Sequence, residues 1–234
     1  MKELNGEYIN DDWRNVLPSF PDNHFAIAIV DPPYFLGPDK RGNYGKEVST
    51  HLNVKRGRYP QMNWQGEIPG HVYYEELCRV SKHQIIWGIN YFEFAGSVSG
   101  RIIWDKVNQS TTYSDCEIAS CSIHYSTRIF RYMWNGMMQG KSIKEGWIQQ
   151  GNKKLNEKRI HSTQKPVNLY KWLVMNYTNK GDKILDTHVG SASSLIAYES
   201  ANLQYVGIEK DEEVFNVSMA RLSSFVESQV LKLF

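Results

Sequence analysis

Asp31-Pro-Pro-Tyr34 is the sharpest chemical signal in the chain. It follows Phe25-Ala-Ile-Ala-Ile-Val30, a continuous apolar run that predicts a strand buried on both faces. The carboxyl end of such a strand is where open α/β sheets bind ligands. Two consecutive prolines remove two amide donors and stiffen the turn. The carbonyls before them are left to accept hydrogen bonds from another molecule. A carboxylate beside a free carbonyl makes an acceptor pair for an NH₂ group, and the Tyr34 ring can stack on a planar base. This is the equipment needed to methylate an exocyclic amine. The lone pair of such an amine is delocalised into the ring. Acceptors on both N–H bonds draw the nitrogen toward tetrahedral geometry and accommodate the positive charge that develops as the methyl arrives. In-line approach to the donor is then a matter of positioning. The plain alternative is a proline-rich turn beside a helix-capping aspartate.

A second signal is Asp186-Thr-His-Val-Gly-Ser-Ala-Ser-Ser194, which predicts a strand, a tight turn and a helix start. Free amides at a helix N-terminus and small residues such as Gly190 and Ser191 let a backbone approach a ligand closely. Glu209 ends the next apolar run, Gln204-Tyr-Val-Gly-Ile208. A carboxylate about 20 residues after such a loop accepts from ribose hydroxyls in dinucleotide sites. His188 is expected to pack rather than to act as a base. Cys116, Cys121 and His124 could be drawn as metal ligands, but they lack zinc-site spacing. Cys121 is expected to point inward from a strand as a small hydrophobe, and no metal is required.

These groups need a scaffold that brings strand ends together. Apolar runs of strand length alternate with helical patterns, the signature of a parallel sheet with crossover helices. Besides Phe25–Val30, strands are expected at Gln84–Gly88, Arg101–Trp104, Glu117–Ile123, Lys183–Asp186 and Gln204–Ile208. Pro166 suits the first turn of a helix whose apolar face carries Leu169, Trp172, Leu173 and Tyr177. The final helix is expected to use Val214, Val217/Ser218, Arg221/Leu222 and Phe225. Residues 124–160 show no clear period and are too long for an ordinary connection, which marks them as a functional insert.

A length of 234 residues suits one α/β domain, and 41% hydrophobic with 22% charged residues is ordinary for a soluble globular protein. There is no run of the ~20 apolar residues a membrane span needs, and the polar, acidic start does not resemble a signal peptide. Three cysteines fit a reducing compartment, so a cytoplasmic location is expected. Net charge is only +2, but its distribution is uneven. Residues 37–60 carry six Lys/Arg against two acidic residues, and residues 124–160 carry eight against two. Two basic segments on an otherwise acidic body suggest a phosphate-binding surface. Interleaved aromatics (Tyr44, Tyr59 and Trp64; Tyr125, Phe130, Tyr132, Trp134 and Trp147) favour nucleic acid.

Taken in order, these motifs resemble the amino-methyltransferases of DNA, the N6-adenine and N4-cytosine enzymes. The resemblance is to the permuted β-type group, in which the catalytic motif precedes the cofactor motif. It implies a Rossmann-like S-adenosylmethionine-dependent fold: a mostly parallel sheet, flanking helices and a basic insert, all in one domain over 1–234. Residues 124–160 would form a target-recognition insert, and residues 37–65 a loop over the active site. The family's roles carry over to Asp31, Pro32, Pro33 and Tyr34: aspartate and proline carbonyl on the amine, tyrosine on a flipped base. An aspartate at the first position favours adenine.

The loop from Asp186 resembles DPFxGSGT, with Thr187, His188 and Ala192 as departures. His161-Ser-Thr-Gln-Lys-Pro166 resembles HPTQKP, which implies that Thr163, Gln164 and Lys165 meet the methionine end of S-adenosyl-L-methionine. Tyr8-Ile-Asn-Asp-Asp12 resembles a short strand ending in Gly-Asp, which implies Asp11 at the cofactor adenine. Trp87-Gly-Ile-Asn-Tyr-Phe92 and Trp104-Asp-Lys106 are familiar from phage-type members but carry no assigned role. The partner implied is double-stranded DNA, within restriction-modification or without it, and a homodimer is compatible with the sequence. The alternatives are an N4-cytosine enzyme, an RNA or protein methyltransferase, which Asp31 opposes, and a degenerate DNA-binding protein with an altered cofactor loop.

Overall fold

Phe25–Val30 forms the strand at the heart of the molecule (β2), with its last four side chains buried. The computed structural model describes residues 3–34, 68–108, 114–135, 138–160 and 163–230. The loop expected at 37–65 lies outside the described residues, as do Tyr44, Tyr59 and Trp64.

The other elements, in chain order, are β1 (Glu7–Asn10) and α1 (Trp13–Val16) before β2, then α2 (His71–Val80), β3 (Ser81–Trp87), β4 (Arg101–Asp105), β5 (Cys116–Cys121) and β6 (Thr127–Arg131). A small hairpin of β7 (Trp134–Asn135) and β8 (Met138–Gln139) follows, then α3 (Val167–Tyr177), β9 (Lys183–Asp186), α4 (Ser193–Ser200), β10 (Gln204–Glu209) and α5 (Glu212–Val230). The main sheet runs β1-β10-β9-β2-β3-β5-β4-β6. The pairs from β1 to β3 are parallel, β5 is antiparallel to both β3 and β4, and β6 is parallel to β4. The fold is therefore α/β with a mostly parallel central sheet, as the alternation of strand and helix patterns implied.

Period-two alternation gives each strand two apolar faces. One face packs Ile29, Ile85, Trp87, Trp104 and Ala119 against Leu169, Leu173 and Leu195 of α3 and α4. The other packs Ala28, Val30, Ile86, Leu185 and Val206 against Tyr73 and Leu77 of α2. Cys121 is buried in the first core, pointing inward as expected.

Three features differ from the sequence reading. The stretch 124–160 begins as β6, an added edge strand of the main sheet, before it leaves as the small hairpin. Phe130, Tyr132 and Trp134 are buried in the core and cannot stack on bases; Tyr125 and Trp147 are exposed. On α5 Val214, Ser218, Leu222 and Phe225 face the core as expected and Val226 joins them, but Val217 faces out.

Candidate active site

Adjacent parallel strands β2 and β9 end on the same side of the sheet, with Ile27 opposite Ile184 and Ala28 opposite Leu185. Asp31 and Asp186 therefore leave the sheet at one edge. From β2 the chain crosses by α2 to β3; from β9 it crosses by α4 to β10, in the opposite direction along the sheet. Such a reversal opens a crevice above the strand ends, where ligands bind. The same edge carries Glu209, in register with Asn10, and Gly88 just beyond β3.

At the Asp31 turn, Pro32 is buried and Pro33 half-buried, and no hydrogen bond from a described residue reaches the Pro32 carbonyl. Asp31 Oδ1 is ion-paired with Lys165 Nζ at 2.5 Å. The same ammonium reaches Glu117 Oε2 at 2.9 Å, while Lys106 Nζ holds Glu117 Oε1 at 2.6 Å. The Tyr34 hydroxyl donates to Glu117 Oε2 at 3.3 Å. Burial raises the Asp31 carboxyl above its ordinary range against the pull of Lys165. Burial would also raise Glu117, but Lys165 and Lys106 outweigh it and hold this carboxyl down at about 2. Lys165 is raised by Asp31 and Glu117 in spite of burial, so it stays charged.

The Tyr34 ring stacks on Tyr91, with centroids 5.1 Å apart and planes within 15°. Gly88, in the left-handed region at φ +70°, lies against it: a β-carbon there would come within 2.1 Å of Tyr34 Cδ1. Thus both motifs left without a role connect to the Asp31–Tyr34 turn, the second of them through Glu117. Trp87–Phe92 seats the Tyr34 ring, and Lys106 steadies Glu117. Glu117 itself was read only as part of a strand. The signal that could have singled it out is a carboxylate two residues before Ala119 and four before Cys121, on the same inward face, a placement that demands a cation.

The loop after β9 turns tightly. The buried Asp186 accepts from the His188 amide (3.1 Å) and the Ser194 hydroxyl (2.6 Å). Even so, burial pushes its carboxyl up to about 7, with Asp31 and Glu209 adding to the rise. His188 packs edge-on against Tyr73 and its ring nitrogen meets the Thr187 hydroxyl; burial lowers it to about 3, so the ring is neutral. Gly190 and Ala192 both take left-handed backbone, at φ +56° and +60°. Ala192, which departs from the glycine of the motif this loop resembles, thus holds a conformation suited to glycine. Ser191 is buried and its hydroxyl meets that of Ser193.

Glu209 Oε2 accepts from the Gly190 amide at 2.8 Å, and Oε1 from the Asp211 amide at 3.0 Å. It thus ties the loop to the next strand end. Asp11 extends β1 beside it, its amide donating to the Glu209 carbonyl. His161 and Ser162 lie outside the described residues. Thr163 is exposed. Gln164 is buried and spends its side chain on the Ile160 amide and Glu157. Lys165 is buried and ion-paired with Asp31 and Glu117. Gln164 and Lys165 thus brace the segments around the site.

Among the described residues no group of three His, Cys, Asp or Glu is arranged to hold a metal, and no helix is long and apolar enough to cross a membrane. The DNA methylase model of the N6/N4 methyltransferases matches residues 124–220. A type II methyltransferase of Streptococcus pneumoniae, M2.DpnII, is 22% identical over 244 residues, covering 92% of this chain and 89% of its own. Among solved structures, the M1.HpyAVI–SAM complex superposes with a TM-score of 0.55 at 17% identity, covering 92% of this chain and 99% of that one. The cytosine-N4-specific PvuII DNA methyltransferase gives 0.54 at 12%, covering 95% and 90%.

Proposed function

We propose that this chain, which belongs to the N6/N4 DNA methyltransferase family, transfers a methyl group from S-adenosyl-L-methionine to the N6 amino group of adenine in double-stranded DNA. The observation that carries this reading is the shared edge. The Asp31–Tyr34 turn and the Asp186–Ser194 loop sit on neighbouring parallel strands at the reversal of the sheet.

The residues present suit the cofactor. Asp186 is a buried carboxylate without a cationic partner among the described residues, and a cationic ligand would relieve it. Glu209 and Asp11 stand at the next two strand ends of the same edge, and their carboxylates suit ribose hydroxyls and the adenine ring. Gly190, Ser191 and Thr163 frame the methionine end. S-adenosylmethionine supplies, when bound, a methyl on a sulfonium, an electrophile that needs no metal.

The chain's own groups act on the amine. Asp31 Oδ2 and the Pro32 carbonyl accept its two N–H bonds, which localises the lone pair on nitrogen. Tyr34 offers its ring to the base. A stacked duplex base cannot reach that ring, so the adenine is rotated out at a cost of roughly a few kcal/mol. Asp31, raised by burial, then takes the surplus proton on Oδ2. Exposed Lys141, Lys144, Lys153, Lys154 and Lys158 of the 124–160 region hold backbone phosphates, and affinity falls steeply with salt. The aspartate at the head of the turn favours adenine over cytosine.

Expression of the protein in methylation-deficient cells, followed by nucleoside analysis of their DNA, tests the reading. N6-methyladenine is expected, and Asp31→Ala abolishes it while cofactor binding persists. N4-methylcytosine in its place would move the substrate to cytosine. A fully active Asp31→Ala protein would overturn the acceptor pair.

A further inference from the structure

We propose that Glu117 is the positioning residue of this site, one carboxylate that fixes both Asp31 and Tyr34. The inference rests on the methyltransferase reading above and names a residue outside the catalytic turn. Its two oxygens are divided. Oε1 is anchored by Lys106, which comes from the neighbouring strand end and lies over the Trp104 ring. Oε2 takes the Tyr34 hydroxyl directly and Asp31 indirectly, through Lys165. Lys106, Glu117, Lys165 and Asp31 thus alternate in sign and sum to zero. Such an array tolerates burial that an isolated charge would not.

The division has a chemical result at Asp31. Lys165 occupies Oδ1, which is buried, while Oδ2 carries no hydrogen bond from a described residue. The carboxylate is therefore held in one orientation with one oxygen spoken for and one to offer. A carboxylate free to rotate would present either oxygen, and its acceptor would be aimed only part of the time. Lys165 is also confined by rings on two sides, 5.6 Å from the centroids of Tyr34 and Trp87. The charged and titratable groups facing Asp31 are Lys165 before α3, Glu117 on β5, Lys106 after β4, Tyr34 in its own turn, Tyr73 on α2, Tyr170 on α3 and Asp186 on β9.

The two partners act on Asp31 with opposite sign. Glu117 disfavours its charge, and Lys165 favours it more strongly. Carbon-13 NMR titration of aspartate carboxyls in the free protein, with Asp31 assigned by difference from Asp31→Asn, reads this directly. Glu117→Gln is expected to move the Asp31 midpoint to lower pH. The double variant Glu117→Gln/Lys165→Met, which removes one charge of each sign, is expected to move it to higher pH. A merely structural role would give no such reversal. In parallel, tritium transfer from labelled S-adenosylmethionine to unmethylated genomic DNA should fall roughly ten- to a hundredfold for Glu117→Gln, since misplaced acceptors forfeit orientation. An unmoved Asp31 midpoint in either variant, or wild-type transfer by Glu117→Gln, would overturn the proposal. Opposite shifts in a wild-type protein that transfers no methyl to DNA would uphold the network and sink the methyltransferase reading instead.

Discussion

The Tyr34 ring rests against the backbone of Gly88, so closely that a single methyl there would strike Cδ1, Cγ and Cε1. The two residues come from loops after adjacent parallel strands, β2 and β3. Tyr34 has its place because residue 88 has no side chain and can take a left-handed turn.

Gly88→Ala is therefore expected to displace Tyr34. The strained φ alone costs about 1–2 kcal/mol. Methyl transfer to DNA should drop by more than tenfold while cofactor affinity stays unchanged, because the Asp186 loop is built on another strand. Calorimetry with S-adenosylmethionine beside a transfer assay checks both halves of this expectation.

Ala192 is the converse case, an alanine in a glycine conformation. Ala192→Gly releases left-handed strain of about 1–2 kcal/mol and gives back some of it as lost methyl burial of about 0.8 kcal/mol and greater unfolded-state freedom. Denaturant unfolding should show a gain of up to about 1 kcal/mol. A loss would mean that the methyl's packing under α4 outweighs the backbone.

Asp186 titrates at about 7 in the free protein, raised by burial. If it meets the cationic donor, binding must release its proton, and affinity should fall as pH drops below 7, by at most about tenfold per pH unit. Calorimetry at pH 6 in two buffers of different ionisation enthalpy would detect the released proton; identical heats would take Asp186 out of the site. The same shift bears on stability. The folded value lies above the unfolded one, so the folded chain binds this proton more tightly. The contribution of Asp186 to stability is greatest below about pH 4 and declines as pH rises toward 7. Glu117, held down at about 2, acts oppositely: its contribution is present above about pH 4.5 and is lost as pH falls toward 2.

Trp134 and Trp147 separate core from surface within one basic stretch. Trp134 is buried, donates to the Gln164 carbonyl at 2.7 Å and carries Arg159 over its ring. Trp134→Ala should cost about 3–5 kcal/mol in unfolding. Trp147 is exposed. Trp147→Ala should leave stability within about 0.5 kcal/mol and weaken DNA binding if the ring stacks on bases. Fluorescence-monitored unfolding and a DNA titration distinguish the two.

The parallel half of the sheet was legible because its strands are buried on both faces and end in Asp31, Asp186 and Glu209, so apolar runs and their terminal carboxylates mark both element and site. β6 was not, because only Phe130 of its five residues faces the core, and one inward side chain leaves no period to read. The rings of Phe130, Tyr132 and Trp134 looked like surface aromatics for the same reason: flanking arginines and lysines hide the core contacts, which come from distant residues. Motif spacing located Lys165 in sequence. Which way its ammonium points was settled by a carboxylate on β5, nearly fifty residues upstream, and no local pattern encodes that pairing.

β9 and β10 lie between β1 and β2 in the sheet, although β1 and β2 are consecutive in the chain. When a ribosome has delivered residues 1–160, those first two strands still flank an empty gap, each with an unpaired edge. The stretch from β9 to β10 fills it and brings the Asp186–Ser194 loop beside the Asp31 turn in the same step. A chain halted before β9 would lack the Asp186–Ser194 loop and keep the facing edges of β1 and β2 unpaired and open to aggregation.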